Sequence, residues 1–261
     1  MTIQFTKYQA TGNDFIMINN LSNEYHELTI EQIVNLCNRR FGIGADGFIK
    51  INSHPTFDFE VDYYNADGSK SFCGNGARCS VHFANSLNSC TNEVSFLAID
   101  GVHSAKILEN GTVELEMNDV TSLDKESNDF ILNTGSPHYC HFVNDLNLID
   151  ITEFGKSIRY SSTYKKHGIN VNCIQEMAKN EIAIETYERG VEAETLSCGT
   201  GATAAAISYA HKNNLTANQS IGVKVKGGLL IVSFQAEQNG SYTNIQLTGP
   251  ATPVFKGSID V

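Results

Sequence analysis

The chain has 261 residues, of which 41% are hydrophobic and 18% charged, and its formal net charge is −11 at pH 7. These values are typical of a globular protein of one or two domains and exclude a disordered chain. The net negative charge and the absence of a Lys/Arg cluster argue against a nucleic-acid partner. The chain has no apolar stretch long enough to span a membrane and no signal-peptide core, so we expect a cytoplasmic protein without a membrane partner.

Alternation of apolar and polar residues predicts strands in both halves of the chain. In the first half they are expected at Phe15–Asn19, Phe48–Ile51, Phe57–Tyr63, Val94–Ile99 and Val113–Met117. In the second half they are expected at His138–Val143, Asn170–Ile174, Ile182–Tyr187, Ile221–Val225, Leu229–Phe234 and Asn244–Thr248. Lys226-Gly227-Gly228 is expected to turn a hairpin.

Helical patterns are fewer, and two of them begin at a cysteine. They cover Ile30–Arg39, the run from Cys73 to about Leu87, Thr152–Arg159, and the run from Cys198 to about Lys212. The last has small residues on every face, as an enclosed helix would. The polar stretch Asp119–Asp129 is expected to be an irregular connection. Each half is therefore predicted to be an α/β (α+β) unit, a mostly antiparallel sheet with a helix headed by cysteine.

Four landmarks recur in the same order in the two halves. The phrase Cys-Gly-Asn-Gly-Ala (73–77) returns as Cys-Gly-Thr-Gly-Ala (198–202), 125 residues later. Gly12-Asn13-Asp14-Phe15 matches Gly135-Ser136-Pro137-His138 at an offset of 123, and Tyr64-Asn65 matches Tyr187-Glu188 at the same offset. Gly42-Ile43-Gly44 matches Gly168-Ile169-Asn170 at 126. A duplication accounts for all four matches.

The cysteine phrase suits proton transfer at a carbon beside a carboxylate. A helix N-terminus offers unpaired N–H groups and the positive end of a dipole, which hold an anion and favour a thiolate. The spaced glycines allow the backbone to approach that anion closely. Two such phrases would let one thiolate remove an α-proton and a second thiol return a proton to the opposite face, inverting the centre.

Other polar residues beside the landmarks allow two interpretations each. Arg189 could bind a carboxylate and Glu188 an ammonium group, or both could be solvated at a strand end. His138 could tune a thiol or be a satisfied core histidine. Asparagine is common in glycine-containing turns for backbone reasons alone, which applies to Asn13, Asn65 and Asn170. The spacing of His138, Cys140 and His141 matches no zinc site, so no metal is expected.

At these residues the chain closely resembles the diaminopimelate epimerase family, cofactor-independent enzymes that interconvert LL- and meso-diaminopimelate. The matching phrases, in family order, begin at Gly12, Gly42, Asn65, Cys73, Gly135, Tyr187 and Cys198. The resemblance implies two pseudo-symmetric domains, residues 1–118 plus 250–261 and residues 119–249, each a curved sheet around a central helix. It also implies no cofactor, a homodimer, and a role in lysine and peptidoglycan precursor synthesis.

Carried over by position, Cys73 and Cys198 resemble the acid–base pair of the family, and His138 and Glu188 the neighbours that modulate it. The family's residues for the carboxylate at the reacting centre correspond to Gly74, Asn75, Gly199 and Thr200. Those for the distal end of the substrate correspond to Asn13, Asn65, Asn170, Glu188 and Arg189. The chain departs from the family pattern at Ser136, where many members carry Asn, and at Gly47, where some carry Gln.

Three other functions remain open on the residues alone. A proline or hydroxyproline racemase would use the same two thiols but would have no use for Glu188 and Arg189. A cysteine hydrolase with His138 as base would leave the second cysteine phrase unexplained. An amino-acid-binding protein without catalysis would need neither thiol.

Overall fold

The computed structural model describes all 261 residues and divides them into two compact units. The first comprises Met1–Leu115 and Gly249–Val261, and the second comprises Glu116–Thr248. Both combine helices with a mostly antiparallel sheet, which confirms the predicted α/β class. None of the helices has the length and apolar character needed to cross a membrane.

The first unit contains two α-helices. Its elements are β1 (Thr2–Ala10), β2 (Asn13–Asn20), α1 (Ile30–Cys37), β3 (Gly47–Asn52), β4 (Phe59–Asn65), α2 (Gly74–Ser86), β5 (Glu93–Ala98), β6 (Gly101–Ile107), β7 (Val113–Glu116) and β17 (Thr252–Asp260). The pairs β2–β3 and β4–β5, each joined through a helix, are parallel. The pairs β1–β2, β3–β4, β5–β6, β6–β7 and β1–β17 are antiparallel.

The second unit repeats this order. Its elements are β8 (Leu123–Glu126), β9 (Asp129–Asn133), β10 (Pro137–Val143), a 3₁₀ turn (Leu146–Leu148), α3 (Ile151–Arg159), β11 (Asn170–Ala178), β12 (Glu181–Glu188), β13 (Ala193–Thr195), α4 (Gly199–Lys212), β14 (Ala217–Val225), β15 (Gly228–Ala236) and β16 (Tyr242–Gly249). Again the two pairs joined through helices, β10–β11 and β12–β14, are parallel. The duplication is therefore visible as the same βαββαββ order in each unit, starting at β2 and at β10, with the additional strand β13 between β12 and α4 in the second unit.

Strand register corrects one detail of the repeat. In the first unit Phe15 pairs with Gly47, and in the second His138 pairs with Asn170. Because Phe15 and His138 are equivalent, Gly47 and Asn170 are equivalent too, at the same offset of 123. The alignment of Asn170 with Gly44, which rested on short glycine phrases, was wrong.

Helices α2 and α4 occupy the centre of their units. Helix α2 contacts β1, β2, β3, β4, β6 and β17, and α4 contacts β9, β10, β11, β12, β14 and β15. Most of their residues are buried, including all of Ala202–Ala210. The all-round burial of α4 explains its small side chains, since bulkier ones would not fit between the surrounding strands. This confirms the prediction of an enclosed helix headed by cysteine.

Several strands escaped the sequence patterns. The stretch 119–129 was expected to be irregular, but it contains β8 and leads through Ser127-Asn128 into β9; Ser127 adopts a left-handed φ of 58°. The strands β1, β6, β9, β13 and β17 were also missed. In β17, Pro253 and Gly257 obscure the pattern. Gly257 is required there because a Cβ would lie 2.8 Å from the ring of Phe5.

Helix α3 packs closely against β12. Gly155 of α3 lies so near Tyr187 that a Cβ would overlap the tyrosine side chain. We expect Gly155→Ala to lower the free energy of unfolding by about 1–3 kcal/mol, despite a gain of about 1 kcal/mol in helix propensity. Urea denaturation measures the change. Ser157→Ala, on the exposed face of the same helix, is the control and should shift stability by no more than about 0.5 kcal/mol.

Candidate active site

Cys73 is the N-cap residue of α2. Its backbone is extended (φ −135°, ψ 113°), and its Sγ accepts a hydrogen bond from the N–H of Gly76 at 3.5 Å. Gly76 must be small, because a Cβ there would lie 3.2 Å from Ile49 and 3.5 Å from Phe15. A cavity of about 140 Å³ lies beside the thiol and is lined by residues that include Tyr63. The helix N-terminus, the thiol and the cavity therefore lie together.

Asn13 lies against Cys73. Its Oδ1 is 3.6 Å from Cys73 Sγ and accepts a hydrogen bond from Asn75 Nδ2 at 3.3 Å. Its Nδ2 donates to Asp46 at 2.8 Å. The resemblance assigned Asn13 to the distal end of the substrate, whereas the structure shows it in direct contact with the Cys73 thiol.

Tyr63 occupies the space that a side chain at position 47 would fill. A Cβ on Gly47 would overlap the Tyr63 ring and would lie 3.0 Å from its hydroxyl. That hydroxyl donates to Asn65 Oδ1 at 2.8 Å, while Asn65 Nδ2 donates to Ser69 and Ser71 at 3.0 and 3.2 Å. The glycine at position 47 thus accompanies a tyrosine that fixes the Asn65 carboxamide.

Cys198 is the N-cap residue of α4 and has a different neighbour. Its Sγ lies 3.5 Å from the hydroxyl of Thr200, which lies 2.9 Å from Nε2 of His138. The carbonyl oxygen of Thr200 accepts a hydrogen bond from Thr134 at 2.8 Å. The sequence-predicted residues His138, Cys198 and Thr200 are therefore adjacent.

The partners of His138 fix its tautomer. Asn172 Nδ2, which also donates to a backbone carbonyl, lies 3.0 Å from His138 Nδ1, so Nδ1 is the acceptor and Nε2 carries the proton. Nε2 then donates to the Thr200 hydroxyl, which is its shortest contact. The distance from Nε2 to Asn170 Nδ2 is longer, 3.3 Å, and Asn170 Nδ2 donates instead to Ser136 at 3.0 Å. Burial and the charge of Arg189 lower the pKa of His138 to about 3, so the ring is neutral.

A second polar group lies at the ends of β11 and β12. Asn170 Oδ1 accepts from the backbone N–H of Arg189 at 2.8 Å, and Ser136 Oγ accepts from Asn170 at 3.0 Å and from Arg189 at 3.3 Å. Glu188 is half-buried at the end of β12. Ser136, which departs from the family pattern, therefore accepts hydrogen bonds from both Asn170 and Arg189, two residues expected at the distal end of the substrate.

Three side chains in these networks were not predicted from the sequence. Asp46 lies two residues after the phrase Gly42-Ile43-Gly44, yet its hydrogen bond with Asn13 forms only when two strands come together. Tyr63 looked like an ordinary strand residue. Asn172 had the clearest available signal, because it is a polar residue in an apolar strand and is fully buried.

Solved structures share this fold at low sequence identity. A phenazine biosynthesis protein of the PhzF family from Bacillus anthracis has a TM-score of 0.78 at 12% identity, covering 100% of both chains. A hydroxyproline epimerase from Agrobacterium vitis has a TM-score of 0.70 at 13% identity, covering 99% of this chain and 92% of that one. These similarities define the fold class, that of duplicated α/β proteins with a central helix in each half.

Sequence comparison defines the family. The model of the diaminopimelate epimerase family matches residues 5–123 and 130–254. A diaminopimelate epimerase of Flavobacterium psychrophilum is 47% identical over 97% of this chain and 98% of that protein, and one of Chlorobaculum tepidum is 38% identical over 96% and 98%. The chain belongs to the diaminopimelate epimerase family, as the resemblance implied.

The neutral state of His138 predicts how stability depends on pH. Below about pH 6.5 the imidazole of the unfolded chain takes up a proton, while the folded protein resists protonation down to about pH 3. The contribution of His138 to the free energy of unfolding is therefore fully present above pH 6.5. It falls by about 1.4 kcal/mol for each pH unit below that. The difference in unfolding free energy between wild type and His138→Gln should therefore shrink at that rate between pH 6 and pH 5, because the variant has no imidazole at this position. Urea denaturation at each pH measures the difference.

Ser157→Ala provides the control for this measurement. It changes an exposed side chain that has no titratable group, so it should leave the pH dependence of the wild type unchanged. A difference between wild type and His138→Gln that stays constant over the same pH range would mean that His138 is protonated in the folded protein.

Proposed function

We propose that the protein is a cofactor-independent amino-acid epimerase, an isomerase that interconverts LL- and meso-diaminopimelate in lysine and peptidoglycan precursor synthesis. The observation that carries the proposal is the duplicated helix N-terminus headed by cysteine, Cys73 on α2 and Cys198 on α4, in a chain of this family. The substrate is a small molecule, and the reaction needs only groups that the chain supplies.

Carboxylate binding at the helix ends lowers the cost of removing the α-proton. As the proton leaves, negative charge develops on the carboxylate attached to the reacting carbon. The N–H groups at the start of a helix and its dipole stabilise that charge. We assign this role to the first residues of the two helices, Gly74, Asn75, Gly199 and Thr200.

The two thiols then act on one α-carbon. A thiolate takes the α-proton, so that the C–H bond breaks and an S–H bond forms. The other thiol gives its proton to the opposite face, so that its S–H bond breaks and a new C–H bond forms. Charge and protons balance, and the cysteines exchange roles with each inversion. Cys73 and Cys198 are the catalytic residues in this scheme.

The neighbours of the cysteines support a starting assignment. His138 Nε2–H donates to Thr200, which leaves the hydroxyl proton of Thr200 available to Cys198 Sγ and stabilises a thiolate there. Cys73 faces the oxygen of Asn13, an acceptor that suits a protonated thiol. Glu188, the other modulating residue of the family, remains assigned by position in the sequence.

The distal end of diaminopimelate carries a second ammonium and carboxylate. Arg189 can bind the carboxylate and Glu188 the ammonium, with Asn65 and Asn170 completing the polar surroundings. A proline racemase would have no substrate group for this charged pair. For that reason we favour diaminopimelate over proline, although a hydroxyproline epimerase shares the fold.

We also propose that the protein is a cytoplasmic homodimer. Support for the dimer comes from β17, a strand whose apolar side chains Val254 and Phe255 are 56% and 49% exposed. Apolar residues exposed side by side on a strand are typical of a surface that binds another chain.

Turnover of LL-diaminopimelate in deuterated water tests the catalytic proposal. We expect meso-diaminopimelate with deuterium at the inverted carbon, since solvent exchanges with the thiol that returns the proton. Cys73→Ala and Cys198→Ala should each reduce kcat/KM by roughly 10³-fold, within the range for loss of a general acid or base. Mass spectrometry and chiral chromatography follow both products.

Cys90→Ala is the matched control, because Cys90 is half-buried but belongs to neither helix N-terminus. It should turn over at the wild-type rate. Normal turnover in either of the other two variants would exclude the two-thiol mechanism. Deuterium in proline but not in diaminopimelate would favour the racemase instead.

Sedimentation velocity tests the dimer. Val254→Lys and Phe255→Lys place a charge on the exposed face of β17, so each should shift the protein from dimer to monomer, because an unpaired charge in an apolar interface is costly. Leu148→Lys, at a side chain that is 81% exposed in the second unit, is the control and should leave the dimer intact. A monomeric wild type would refute the assignment.

A further inference from the structure

We propose that Asp46, held by Arg39, is a positioning residue for Cys73. Its carboxylate fixes the direction of the Asn13 carboxamide, so that the amide oxygen and not the amide nitrogen faces the thiol. The catalytic significance of this inference rests on the function proposed above, but the orientation itself is a property of the first unit alone.

A chain of hydrogen bonds passes the Cys73 thiol. Arg78 Nη2 donates to Asn75 Oδ1 at 2.7 Å, and Asn75 Nδ2 donates to Asn13 Oδ1 at 3.3 Å. Asn13 Nδ2 in turn donates to Asp46 Oδ2 at 2.8 Å. Cys73 Sγ approaches the same oxygen of Asn13 at 3.6 Å.

The two ends of this chain permit only one direction. A guanidinium group can only donate hydrogen bonds, and an ionised carboxylate can only accept them. Asn75 must therefore turn its oxygen towards Arg78, and Asn13 must turn its nitrogen towards Asp46. The oxygen of Asn13 is then the atom left for Cys73. A carboxamide without such partners could rotate by half a turn and present N–H to the sulfur instead.

Asp46 is itself held in place from the other side. Arg39 Nη2 donates to Asp46 Oδ1 at 2.7 Å, and the same guanidinium donates to both carboxylate oxygens of Asp14 at 2.7 and 3.0 Å. Lys7 lies 2.9 Å from Asp14. Burial opposes ionisation of Asp14, but the hydrogen bonds from Arg39 and Lys7 outweigh it and hold the pKa of Asp14 far below its usual value. The group that orients Asn13 is thus anchored by permanent charges.

The orientation matters because it determines which form of Cys73 is stabilised. The helix N-terminus and the N–H of Gly76 favour a thiolate, whereas an acceptor oxygen favours the S–H form and directs its hydrogen. With the oxygen of Asn13 in place, Cys73 keeps a proton that it can deliver. With N–H in that place, both neighbours of the sulfur would favour the thiolate.

Asp46→Asn tests the proposal, since asparagine can donate as well as accept and leaves only the longer hydrogen bond from Asn75, at 3.3 Å, to hold the direction of Asn13. The readout is the alkylation rate of each cysteine by iodoacetamide at pH 7, followed by peptide mass spectrometry. We expect Cys73 to react about fivefold faster, the effect of one exchanged hydrogen bond. Cys198 is the internal control and should be unchanged. For diaminopimelate, kcat should fall about tenfold to a hundredfold with KM nearly constant.

Two further variants separate orientation from general damage. Arg39→Lys keeps a cation but loses the paired hydrogen bonds of the guanidinium, so it should also accelerate Cys73 alkylation, by a smaller factor. If Asp46→Asn fails to fold, Arg39→Lys provides the test of the proposal. Glu93→Gln removes an exposed carboxylate from β5 and should change neither readout.

The outcomes are distinct. Equal acceleration of Cys73 and Cys198 would indicate loosening of the whole fold, and unchanged Cys73 reactivity in a folded Asp46→Asn would also overturn the proposal. Selective acceleration of Cys73 in a protein that does not turn over diaminopimelate would leave the orientation correct and refute the proposed function.

Discussion

Each half of this protein depends on the N-terminus of one helix, which lies at the centre of a folded sheet. The first N–H groups of α2 and α4 have no partners within the helix, and a cysteine precedes each of them. Because the helices are central, the residues after the cysteine have little room. A side chain at Gly76 would crowd Ile49, and one at Gly201 would lie 2.6 Å from Asn172. Reactivity and packing thus select the same glycines.

The duplicated backbone supports two different chemical environments. The N–H of Gly76 and the oxygen of Asn13 approach Cys73, whereas a hydroxyl backed by a neutral histidine approaches Cys198. The helix dipoles are alike, so the difference between the thiols must come from these side chains. In the proposed mechanism one thiol must start protonated and the other must not, and an amide oxygen at Cys73 with a hydroxyl at Cys198 is an asymmetry that suits this requirement.

The sequence predicted the features that follow local rules. Helical patterns, two of them headed by cysteine, predicted all four helices, and alternating apolar residues predicted eleven of the strands. It missed β17, where burial is too slight to impose alternation and the strand exists because its backbone pairs with β1. It likewise missed Asp46, because Asn13 and Asp46 meet only after β2 and β3 pair in parallel. Contacts of this kind have no signature within a short window.

The pair Gly47 and Asn170 shows how a duplicated site diverges. The two positions are equivalent in register, yet Asn170 binds Ser136 through its own amide, while Gly47 has no side chain. Tyr63, from the neighbouring strand, fills the vacant space and contacts Asn65 with its hydroxyl. Any larger residue at position 47 would displace that ring, so the two positions must change together. Substrate contacts in this family therefore have to be compared as groups of neighbouring side chains, since one position alone does not show which residue supplies the polar atom.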